Sequence, residues 1–70
     1  MNSYEIKVKH EDGHYLPEWL LAVQKIDPRC EIAQLYDLAS DEYVVWEVQS
    51  AKNLAPAFLK KNDVISWVAA

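Results

Sequence analysis

The sequence predicts an α+β domain of ferredoxin-like type, a β-α-β-β-α-β sandwich with a four-stranded antiparallel sheet and two helices on one face. Three observations carry this reading. Tyr4 to His10 alternate in polarity as a half-buried strand does, and Leu16, Trp19, Leu20, Val23 and Ile26 recur at the three- and four-residue spacing of an amphipathic helix. Tyr43-Val44-Val45-Trp46-Glu47-Val48 then concentrates the β-branched and aromatic residues that suit a pleated surface.

Each element follows in order. In the first strand Tyr4, Ile6, Val8 and His10 share one side, and Glu5, Lys7 and Lys9 the other. A polar corner at Glu11 to His14 contains the only glycine, Gly13, read as a positive-φ turn. Pro17 suits the first turn of the helix that follows, and Asp27-Pro28 ends it. Residues 30–40 admit two readings. They form either the second strand, turning through Leu38 to Glu42 into the Tyr43 strand, or a second helix over 28–40 opened by Pro28, with Ile32, Leu35, Tyr36 and Ala39 at helical spacing. The hairpin is preferred, because the alternative puts another helix into a very short chain. Ser50 is placed to cap a helix over Ala51 to Lys61, interrupted near its start by Pro56, and Val64 to Val68 complete the sheet.

With 70 residues the chain makes one small acidic domain, 1–70, and at that size it needs a dense core. An apolar fraction of 51%, with Trp19, Trp46 and Trp67 spread along the chain, supplies one. A lone Cys30 rules out an intramolecular disulfide and a cysteine-based zinc site, which fits a reducing, cytoplasmic location. No apolar run approaches the roughly 20 residues of a membrane span, and MNSYEIKVKH lacks the layout of a signal peptide. Eleven acidic against seven basic side chains give a charge of −4, which repels a phosphate backbone. Direct nucleic-acid binding is not expected. The acidity suits a basic partner, or simply solubility.

Histidines and carboxylates are densest in His10-Glu11-Asp12-Gly13-His14. Zinc needs three or four converging ligands, and His10 and His14 lie in a corner without the helical register that brings an HxxxH pair together. They are weak metal candidates only, completed at best by Asp41 or Glu42. Nucleophilic catalysis needs a base beside the nucleophile, whereas Cys30 falls at the opposite end of the predicted fold. One glycine cannot make a phosphate cradle. No catalytic residue and no cofactor are therefore expected.

The predicted topology gathers the first strand-helix corner, the hairpin and the last helix-strand turn at one end. Glu11, Asp12, Glu18, Asp37, Asp41, Glu42 and Asp63 collect there as an acidic pole, offset by Lys60 and Lys61. On the sheet face away from the helices, Tyr43, Val45 and Glu47 join Glu5, Lys7 and Lys9, with Tyr36 or Trp67 as further aromatics from the flanking strands. Such a mixed face suits a protein interface or a homodimer.

These features point to a non-enzymatic protein-binding module. The expected partner is a basic nucleic-acid-handling protein or complex, held by Glu11, Asp12, Asp37, Asp41 and Glu42 with Tyr36, Tyr43, Val45 and Trp67 as apolar contacts. The analogy is to small acidic phage inhibitors of host nucleases and of CRISPR complexes, whose carboxylates stand where phosphates would sit. The alternative is a dimeric ferredoxin-like regulatory or small-ligand-binding domain.

Overall fold

A computed structural model describes residues 1–10 and 17–69. The elements in chain order are β1 (Asn2–Lys9), α1 (Glu18–Ile26), β2 (Glu31–Gln34), a 3-10 turn (Tyr36–Leu38), β3 (Tyr43–Ser50), α2 (Ala55–Phe58) and β4 (Val64–Ala69). The sheet order is β2-β3-β1-β4, and every neighbouring pair is antiparallel. This is the α+β arrangement of four strands and two helices that the sequence predicts. Residues 30–40 take the hairpin reading and not the helical one. Only their second half coils, into the single 3-10 turn.

The register decides which side chains meet. Tyr4 lies opposite Val48, Ile6 opposite Trp46 and Val8 opposite Val44, so these six share the helix side of the sheet. Tyr4, Ile6, Val8 and Val48 pack there with Trp19 and Val23 of α1 and with Leu54, Ala57 and Phe58 at α2. Aromatic contacts thread this core: Trp19 meets Trp46 at 5.8 Å, and Tyr4 and Phe58 meet each other edge-on at 5.4 Å. Large rings therefore make up much of the core.

Two sequence expectations are corrected. The second helix is one turn, Ala55–Phe58, and does not run from Ala51 to Lys61. Asn53 Oδ1 accepts the Ala55 amide at 3.1 Å in place of a Ser50 cap, Pro56 opens the turn, and Leu59 is already extended. Lys60 follows at φ 58°, a left-handed conformation that turns the chain after the helix without a glycine. Trp67 faces the helices and not the open side, half-buried against Tyr4 at 6.1 Å and Phe58 at 5.5 Å. The cause is an irregularity opposite Lys7/Val8, where Ser66 pairs with Lys7 but Val64 with Val8, leaving Ile65 as an extra residue. One extra residue puts Val64 and Trp67 on the same side.

Candidate protein-binding surface

The antiparallel pairings send β1 and β2 one way and β3 and β4 the other. The end of β1, the β2–β3 hairpin and the start of β4 thus share one end of the sheet. Direct contacts tie this end together. Lys9 donates its amide to the Asp63 carbonyl at 2.9 Å, and His10 Nε2 lies 2.9 Å from the Ser40 carbonyl, which makes that nitrogen the proton donor.

The hairpin itself is held at several points. Leu35 donates to the Val45 carbonyl at 2.8 Å and Ser40 to the Tyr43 carbonyl at 2.9 Å. Inside that loop, Leu38 donates to the Leu35 carbonyl and Ala39 to the Tyr36 carbonyl, each at 3.2 Å. The Ser40 hydroxyl also accepts the Glu42 amide at 3.2 Å. These bonds hold the turn's tip away from the core. Tyr36 is left 76% exposed and Leu38 49% exposed, with Asp37, Asp41 and Glu42 exposed around them.

The expected site residues divide into three groups. Tyr36, Asp37, Asp41 and Glu42 come together on the hairpin tip. Tyr43 and Val45 lie on the open sheet face, where the Lys7 ammonium stands 4.8 Å from the Tyr43 ring centre. Val45 is fully buried although the helices lie on the other face, flanked by Lys7 across one ladder and Leu35 across the other. Its side chain therefore offers no surface to a partner. Trp67, as described, belongs to the helix side. Glu11, Asp12 and His14 lie outside the described residues. Among the described residues no three His, Cys, Asp or Glu side chains converge to hold a metal ion, and no helix is long and apolar enough to cross a membrane.

Asp63 has a part that composition did not reveal. Its Oδ2 accepts the Trp19 amide at 3.2 Å, so a carboxylate from the last turn caps the first helix. Asp63 is therefore built into the fold, whereas Glu18 stays exposed in the helix's first turn, where the dipole favours it.

The opposite end is polar and structural. Asp27 is buried, accepts a hydrogen bond from the Ser50 hydroxyl and another from the Arg29 amide at 3.0 Å, and is held below the usual carboxylate range chiefly by those two bonds. Lys52 Nζ donates to the Ile26 carbonyl at 3.0 Å, at the negative end of α1. Burial, helped by the charge of nearby Asp27, pushes the Cys30 thiol up, which disfavours the nucleophilic thiolate.

Away from the hairpin tip, Glu31, Ile32, Ala33, Glu47 and Gln49 line a shallow open groove of about 290 Å³. That volume lies at the lower limit of small-molecule sites, which enclose most of their ligand. No protein-family model matches this chain, and neither a curated protein nor a solved structure does.

Proposed function

We propose that the chain is a non-enzymatic protein-binding module that presents its hairpin tip to a basic partner, most concretely the positively charged groove of a nucleic-acid-handling protein. The observation that carries this reading is Tyr36, an aromatic ring left 76% exposed on a braced hairpin loop that also carries the exposed Asp37, Asp41 and Glu42. Leaving such a ring in water costs hydrophobic stabilisation, and a tyrosine amid charged neighbours is the composition of an interface anchor. The carboxylates add steering toward lysine and arginine, and the chain's charge of −4 extends that attraction beyond contact distance. An inhibitor of this kind excludes nucleic acid by occupying the phosphate path with its own negative charge.

The test is affinity purification of the tagged chain from its native or host cells, with mass spectrometry of the co-eluting proteins before and after a salt wash. A stoichiometric, salt-sensitive partner that handles nucleic acid is the expected result. Against that partner, Tyr36→Ala should weaken binding by about 10- to 100-fold, as a central aromatic anchor does. Asp41→Lys with Glu42→Lys should weaken it and flatten its dependence on salt. Undiminished binding by both variants would overturn the reading.

A further inference from the structure

We propose that the outer edge of β2 receives an extended, basic segment of another protein as an added strand, whose arginine or lysine side chains enter the groove lined by Glu31, Ala33, Glu47 and Gln49. Among the described residues β2 is an end strand of the sheet, paired with β3 alone. The Leu35 amide bonds to the Val45 carbonyl in the same register, so odd-numbered residues of this segment turn their peptide groups toward β3. Ile32 and Gln34 therefore direct their N–H and C=O groups outward, where an added strand satisfies them.

Charge selects the occupant. Glu31 and Glu47 stand on the open face beside this edge, and Gln49 Nε2 donates to Glu47 Oε1 at 3.0 Å. Across the next ladder Glu5 lies directly opposite Glu47. The Lys9 amide bonds to Asp63, so odd-numbered residues of β1 turn toward β4, and Glu5 with Glu47 is one of the closer, non-bonded pairs. Like charges set opposite each other in this way destabilise a sheet. Lys7, next along the same face of β1, turns its ammonium to the Tyr43 ring, on the side away from Glu47. A guanidinium or ammonium brought in by a partner offsets the repulsion, whereas an acidic strand adds to it. The exposed Glu31 also discourages indiscriminate pairing of uncharged strands, so this edge discriminates by charge. Basic residues at every second position of an added strand all reach the face on which the groove opens.

The probe is a seven-residue peptide alternating threonine and arginine, titrated into the isotope-labelled intact chain at low salt and followed by amide NMR. Antiparallel addition puts its arginines beside Glu31 and Ala33 and its threonines opposite Ile32 and Gln34. Binding on the order of 0.1–1 mM is expected, with the Ile32 and Gln34 amides shifting most and exchanging more slowly as the peptide saturates. Glutamate in place of arginine should abolish binding. N-methylation of the threonine amides removes the strand bonds but keeps the charge, and should weaken binding at least about fivefold. Glu31→Gln with Glu47→Gln should weaken it about tenfold, and because the second change relieves the repulsion with Glu5 the variant keeps its fold. Asp41→Asn with Glu42→Gln, at the hairpin tip, should change it by less than about twofold. No binding at millimolar peptide, equal binding of the N-methylated peptide, or shifts centred on the hairpin tip would overturn the proposal. So would a glutamine pair that binds the peptide as the parent does.

Discussion

Asp27 is the residue whose burial asks most of its neighbours. A charge at 8% exposure stays ionised because the Ser50 hydroxyl and the Arg29 amide both point hydrogens at it. Its carboxyl is held below its unfolded value, so its contribution to stability is complete above about pH 4 and is lost as pH falls through the lower folded value. Asp27→Ala should therefore destabilise the protein near neutral pH, because the Ser50 hydroxyl and the Arg29 amide both lose their charged acceptor. Urea titrations at descending pH should show the gap between variant and parent narrowing below pH ~4; a constant gap would mean that Asp27 acts through packing alone. Tyr4 works similarly with neutral groups. Its hydroxyl accepts the Leu54 amide at 3.0 Å and donates to Asn53 Oδ1 at 3.2 Å, so one side chain of β1 sets the start of α2. Neither role was legible in the sequence. Both partners lie far away in the chain, and only the completed sheet brings Ser50 beside Asp27 or Asn53 beside Tyr4.

Among the elements, α1 shows how a helix can be strongly encoded and still depend on a distant residue. Its apolar spacing places Trp19 and Val23 in the core, yet its own flank, Pro17, offers no side-chain cap. Asp63 supplies one from the turn before β4. Asp63→Ala should destabilise the protein by about 0.5–2 kcal/mol, and Asp63→Asn, which keeps an oxygen acceptor, should recover most of that loss in thermal or urea midpoints. Composition and alternation agree in β1 and β3, whose inward faces Tyr4-Ile6-Val8 and Val44-Trp46-Val48 follow from period two. Alternation failed at β4, because the extra Ile65 carries no glycine to mark it. It also failed to reveal the burial of Val45, which depends on neighbours from β1 and the hairpin. Ala51 to Lys61 has good helix formers and suggests a longer helix, but Pro56 near its start and the extended Leu59 confine it to one turn.

Across the whole molecule, the topology puts the exposed Asp37, Asp41 and Glu42 of the hairpin at the end of the sheet where β1 finishes and β4 begins. What topology could not tell was that Asp63 leaves this rim to cap a helix, or that Tyr36 stands out on a turn and not on a strand. The same topology governs folding. β1 pairs with β3 and β4, joining Asn2 to Ser50 and Tyr4 to Ala69, so two of the three ladders close long loops. Refolding followed by tryptophan fluorescence should then take milliseconds to seconds, and a microsecond relaxation would contradict it. The central position of the first strand also has a bearing on synthesis. On a ribosome β1 emerges before either neighbour exists, waits through the translation of nearly half the chain for β3 to begin, and is flanked on both sides only when β4 appears. At about 5–20 residues per second, that leaves an apolar strand exposed for seconds in every round of translation. The alternating Glu5, Lys7 and Lys9 keep its other face charged throughout that interval, and so act as gatekeepers of the nascent chain before they belong to any finished surface.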